Sequence, residues 1–255
     1  MADGLLEVQE ITIQFGGITA LDDLSFTIEP KQICGLIGPN GAGKTTLFNV
    51  IGRIYDPSQG AIVFDGEELL GLTSHEVSQA GISRTFQNLA LWPRMTVAEN
   101  VMTGAHTQGK QNFFSAMTRF GLKQEEKDLR DSAYAALEIL DLLEHAEKPC
   151  DGLPFGTMKR IELARALVNN PKLLLLDEPA TGLTHSEVAE LSELIISVRE
   201  QFNLTILLVE HHMGMVMGMS EKVVVLDFGS KIAEGTPSEI QNNPLVVSAY
   251  LGAPK

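Results

Sequence analysis

Residues Gly38-Pro39-Asn40-Gly41-Ala42-Gly43-Lys44-Thr45-Thr46 fit the pattern G-x-x-x-x-G-K-[ST], and each part of it has a chemical use. Glycines let backbone N–H groups turn inward and approach phosphate oxygens. A helix starting at the lysine aims the positive end of its dipole at the same oxygens. Lys44 supplies a point charge for β- and γ-phosphates, Thr45 a hydroxyl that can ligate magnesium, and Thr46 a further donor. A second run, Leu173-Leu174-Leu175-Leu176-Asp177-Glu178, delivers two carboxylates at the end of an apolar stretch. Asp177 suits a magnesium ion held through water, and Glu178 suits a water that must be oriented or deprotonated. The competing explanations are a chance glycine-rich turn and an acidic strand end. Context decides against both, because the glycine run follows a strand pattern and opens a helix.

Those groups need a scaffold that brings distant segments together. Gln32 to Ile37 reads as a buried strand leading into the glycine run, with a helix following through about Gly52. Alternation at Ile11, Ile13 and Phe15, and at Leu24, Phe26 and Ile28, predicts half-buried strands near the start. A short strand from Ala61 to Phe64 ends in the turn pair Asp65-Gly66. Thr73-Ser74-His75-Glu76, Thr96-Val97-Ala98-Glu99 and Thr184-His185-Ser186-Glu187 fit the capping box and start helices. Gln108 to Lys123 reads as a polar surface insertion, and Glu125 to Leu143 as a helix with Leu129, Ala133, Ala136, Leu137 and Leu140 on one face. Strands at Lys172 to Leu176, Leu204 to Val209 and Val223 to Leu226 alternate with a helix from Ser186 to Phe202. The expected fold is α/β: a mostly parallel central sheet, an N-terminal antiparallel β subdomain and an inserted α-helical subdomain. We divide the expected single domain into a core lobe, 1–87 and 170–255, and a helical lobe, 88–169.

Bulk properties narrow the partners. Apolar residues make up 44% and charged residues 20%, a balance that supports a packed core rather than disorder. The formal charge of -14 repels phosphate backbones and so disfavours nucleic acid and direct attraction to anionic lipid. The longest apolar runs are too short to span a bilayer, and the first residues lack the basic start of a secretory signal. Cys34 and Cys150 form no CxxC and read as ordinary buried thiols.

Further short motifs occur in a fixed order along nearly the whole chain, which resembles the ATP-binding-cassette (ABC) ATPase family. Thr85-Phe86-Gln87-Asn88 looks like its Q-loop, Gly182-Leu183-Thr184 like its D-loop, and His211 in Leu208-Val209-Glu210-His211-His212 like its switch histidine. Leu153-Pro154-Phe155-Gly156-Thr157 stands where the signature loop belongs, and Phe15 looks like the aromatic that stacks on adenine. The resemblance implies ATP and magnesium as ligands, with Gln87 reaching both metal and attacking water and His211 the γ-phosphate. It also implies a second ATPase subunit whose bound ATP meets Pro154, Phe155, Gly156 and Thr157. Transmembrane permease subunits, and through them a solute-binding protein, are the other implied partners, placing the chain on the cytoplasmic face of a membrane. Pro154 replaces the usual serine and removes a backbone N–H, and Thr184 replaces the usual acidic or amide residue. The Pro-aromatic pair and the ending Glu234-Gly235-Thr236-Pro237, Asn243-Pro244 and Ala249-Tyr250-Leu251-Gly252 are similar to the branched-chain amino acid importer group. An ATPase of a lipid or lipopolysaccharide exporter and a weakly hydrolysing regulatory subunit remain alternatives. Asn88 to Met95 gathers the lone tryptophan with apolar neighbours; Trp92 and Leu89 are the expected anchors for a permease helix.

Overall fold

The computed structural model describes residues 4–85, 89–105 and 122–251. Gln87 and residues 106–121, which hold most of the expected surface insertion, lie outside the described residues. The chain opens with β1 (Leu6–Phe15) and β2 (Ile18–Ile28), paired antiparallel, then β3 (Ile33–Ile37) and α1 (Lys44–Ile51). β4 (Gln59–Phe64) returns to β1 and turns into the short β5 (Glu67–Glu68). Asp65 and Gly66 take φ of 51° and 82°, the backbone a two-residue hairpin turn requires. The result is an antiparallel sheet in the order β2-β1-β4-β5.

The rest alternates. α2 (Ser74–Ala80), β6 (Ile82–Arg84), α3 (Val97–Gly104), α4 (Leu122–Ile139) and α5 (Phe155–Leu167) precede β7 (Leu173–Asp177). α6 (His185–Phe202), β8 (Thr205–Val209), α7 (Met213–Met219), β9 (Lys222–Asp227) and β10 (Ser230–Gly235) follow, with α8 (Pro237–Gln241) and α9 (Pro244–Leu251) at the end. The second sheet runs β10-β9-β3-β8-β7-β6, parallel except for the edge strand β10.

β3, β7 and β8 are buried at every position, as parallel strands covered on both faces must be. Alternate residues serve opposite faces. Ile33, Leu174, Leu176, Ile206 and Leu208 join a core with the helices α3, α4, α5 and α6. Cys34, Leu36, Leu173, Leu175 and Leu207 join a second core with α1 and the antiparallel sheet. The three capping boxes read in the sequence form at Thr73, Thr96 and Thr184, and a fourth forms at Thr236 with Glu239. The helix expected to reach Leu143 stops at Ile139: Asp141 takes φ 55°, and Leu143 sits exposed in a separate short turn.

Candidate nucleotide site

β3, β8 and β7 are neighbours in the parallel sheet, so their carboxyl ends deliver three loops to one place. That edge is where open α/β sheets bind ligands. From β3 comes the glycine loop. Gly43 caps α1 with φ 100°, and no side chain occupies the cap, so the first N–H groups of α1 face the cleft. A Cβ at Gly43 would lie 2.6 Å from the Ala20 carbonyl oxygen, so only glycine fits between the loop and β2. Asn40, Gly41, Ala42, Gly43, Lys44, Thr45 and Thr46 line a cleft of about 600 Å³ whose far wall is Glu178 and His211. Gly38 and Pro39 stand at its base, where their carbonyls accept hydrogen bonds from Lys44 Nζ at 2.7 and 3.0 Å. Burial holds the Lys44 ammonium below its ordinary pKa, while Glu178 and Asp177 pull it back up.

β7 supplies the carboxylates. Asp177 is 2% exposed, and its Oδ2 accepts from Arg84 at 2.7 Å. Arg84 also donates to Asn49 Oδ1 at 2.7 Å and lies over the Phe48 ring. Asp177 Oδ1 is buried with no hydrogen-bond partner. A buried carboxylate oxygen left unsatisfied calls for an ion or water. Among the described residues no three His, Cys, Asp or Glu cluster as metal ligands. An oxygen set of one hydroxyl and one carboxylate, completed by phosphate and water, is chemistry that magnesium accepts; Thr45 lines the cleft, whereas Asp177, one residue before Glu178, does not line it.

Glu178 follows with φ 48°, an uncommon backbone for a non-glycine residue and one that turns its side chain into the cleft. Glu178 Oε1 and His211 Nε2 lie 2.7 Å apart, and the Thr181 hydroxyl donates to Oε2 at 3.4 Å. A carboxylate only accepts, so the His211 hydrogen sits on Nε2.

Other expected residues lie elsewhere. Phe15 is 44% exposed at the end of β1, its ring edge-on to Tyr55 at 5.0 Å, and it does not line the phosphate cleft. Pro154 caps α5, and Pro154, Gly156 and Thr157 line a separate cleft of about 330 Å³ against α6. Phe155 packs where a Cβ on Gly182 would be 3.0 Å from its ring, so the signature and D-loop segments touch within the chain. Trp92 is half exposed and lines a groove of about 440 Å³ with Ile54, Val77, Ala90, Arg165 and Leu175. Leu89 does not line this groove; Ala90 does. The loop holding Trp92 is pinned by Asn100, fully buried, whose amide bonds Trp92, Met95 and Thr96 carbonyls. Sequence reasoning missed Arg84, Tyr55, Asn100 and Glu210.

A family model described as ABC transporter matches residues 21–181. The chain belongs to the ABC transporter ATP-binding family. A second model, branched-chain amino acid ATP-binding cassette transporter, matches residues 230–255. The chain is 42% identical over 253 residues to the high-affinity branched-chain amino acid transport ATP-binding protein LivG of Escherichia coli, covering 99% of each. It is 40% identical to the corresponding protein BraF of Pseudomonas aeruginosa, again over 99% of each. A crystal structure of the ADP conformation of an ABC transporter cassette superposes with TM-score 0.85 at 30% identity, covering 97% of this chain and 98% of that one. Among the described residues no helix is long and apolar enough to cross a membrane.

Proposed function

We propose that this ABC cassette binds MgATP, hydrolyses it, and so drives import of branched-chain or related amino acids through a membrane permease. The observation that carries the reading is the meeting of Lys44, Glu178 and His211 around one cleft floored by helix-terminal N–H groups. ATP enters with its β- and γ-phosphates against the loop of Gly41 to Thr46, where Lys44 exchanges its two carbonyl partners for phosphate oxygens. Magnesium, held by Thr45, Asp177 and Gln87, would neutralise charge on those phosphates. Glu178 orients the attacking water and takes its proton as the γ-phosphoryl group transfers, leaving ADP and phosphate. His211 holds the Glu178 carboxylate in place and lies within reach of the γ-phosphate side of the cleft. Phe15, with Tyr55 braced against its edge, is the adenine platform.

Pro154, Gly156 and Thr157 line a cleft of their own and none of them lines the phosphate cleft. A second cassette therefore covers the triphosphate, and Gly156 and Thr157 of this chain cover the partner's. The Trp92 groove receives a cytoplasmic helix of the permease, which holds the chain peripherally at the cytoplasmic face and connects it to a solute-binding protein. The relatives' names support the amino acid assignment. The test is ATP binding and turnover by the reconstituted transporter, with Lys44→Ala beside wild type. Loss of nucleotide affinity in the variant supports the reading; a wild type that neither binds MgATP nor hydrolyses it overturns it.

A further inference from the structure

The Glu178 turn and the His211 loop hang from neighbouring parallel strands, with Asp177 paired to Val209. Strand pairing alone stops there, apart from one bond from Glu178 N–H to the Val209 carbonyl. Past that point, besides the Glu178–His211 contact itself, the buried side chain of Glu210 joins the two loops. Glu210 is 3% exposed. Its Oε1 accepts from the Ala180 N–H at 2.6 Å, and its Oε2 accepts from the His211 and His212 N–H groups at 2.8 and 3.1 Å. Three backbone donors thus share one buried carboxylate, one from the first loop and two from the second.

We infer that Glu210 is a positioning residue for the hydrolytic pair: it clamps the Glu178–Pro179–Ala180 turn to the His211 loop and so sets the Glu178–His211 contact. The inference deepens the hydrolysis reading and, for its effect on turnover, rests on it. A carboxylate presents acceptors on both sides, whereas an amide of the same shape presents an acceptor on one side and donors on the other. In Glu210→Gln one loop must therefore meet N–H with N–H. If the amide oxygen keeps Ala180, the His211 and His212 donors lose their partner; if it turns round, Ala180 loses it. The first case frees the His211 backbone from its own anchor and the second breaks the bond between the loops, so either way His211 shifts against Glu178. A charged acceptor also makes shorter, stronger bonds than a neutral one, which favours Glu at this place for rigidity.

A purely structural role, satisfying three buried N–H groups and nothing more, would lower the melting temperature without altering the pair. Three readouts on the full-length chain separate the two. The first is the imidazole ring signal of His211 by NMR, assigned with His211→Ala. Glu210→Gln is expected to move it as Glu178→Gln does. The second is turnover: Glu210→Gln is expected to lower kcat by about 10–100-fold, as loss of an orienting residue does, with KM for ATP changed by less than about threefold. The third is non-additivity: in a His211→Ala background the same change is expected to lower kcat by less than about threefold, since its target is gone. Glu210→Asp, with the charge one methylene short, is the second variant if Glu210→Gln does not fold. A His211 signal unmoved by either variant, or equal losses of kcat in both backgrounds, overturns the inference. If wild type shows no turnover, the hydrolysis reading fails, and the ring signal alone decides the positioning role.

Discussion

Arg84→Met tests how Asp177, the proposed magnesium carboxylate, is held. In the structure Arg84 is the side-chain partner of a 2% exposed Asp177, at 2.7 Å, and it also bonds Asn49 Oδ1. Methionine keeps an apolar stem to pack on Phe48 but removes the charge. Asp177 Oδ1 already has no partner, so the variant leaves the carboxylate without a hydrogen-bonded cation, with Lys44 acting on it only through space. Breaking one side of a buried pair costs about 3–5 kcal/mol, and the 17% exposure of Arg84 admits some water, so we take about 3 kcal/mol. For a chain of this length that lowers the melting temperature by roughly 6–12 °C. Adding Asp177→Asn removes the stranded charge, and the double variant is expected to recover at least half of the loss, about 1.5 kcal/mol. MgATP is expected to raise the melting temperature of Arg84→Met more than that of wild type, because the cation replaces the lost charge. The assay is thermal melting of the four combinations with and without MgATP. Arg84→Met melting within about 2 °C of wild type, or a double variant less stable than the single, refutes the reasoning.

Trp92→Ala is expected to leave ATP binding and the melting temperature of the isolated subunit nearly unchanged, because the ring is half exposed, but to weaken permease assembly and uptake; normal uptake in reconstituted vesicles places the docking site elsewhere. Cys34 is raised from 9.0 to about 12 by burial, so the unfolded thiol ionises before the folded one. Its contribution to stability is full below pH 9 and falls as pH rises towards 12, and Cys34→Ala should flatten that alkaline decline in pH-dependent melting. The Pro154–Thr157 segment is expected to make the two composite sites unequal when the partner ATPase differs, since each hydrogen bond lost to a charged phosphate is worth about 1.5–3 kcal/mol. Replacing the catalytic glutamate in each ATPase in turn should give unequal losses of transport, and equal losses refute the asymmetry.

What the sequence made legible was local. The glycine loop, the apolar strands around it and three capping boxes depend on spacing within a few residues, and all formed where read. Boundaries shifted where a single residue's backbone ended an element, as at Asp141. The residues that were missed act over long separations. Arg84 meets Asp177 across 93 positions, and Glu210 meets Ala180 across 30, so neither partner can be read from a window. Glu210 stood inside the motif read for His211, but its use follows only from β7 and β8 lying side by side. Trp92 was legible as an anomaly of composition; its half-exposed place in a groove depends on Asn100 fixing the loop. Thr236 and Glu239 did carry a local signal, a fourth capping box.

In the proposed mechanism Glu178 acts on the attacking water while Lys44 and the glycine loop hold the phosphates. Turnover by Glu178→Gln, measured beside MgATP affinity in the reconstituted transporter, tests it most directly. The expected result is retained binding with turnover at least ~100-fold slower, the low end for losing a general base, and an ATP-bound cassette dimer that persists. Near-normal turnover in Glu178→Gln would contradict it.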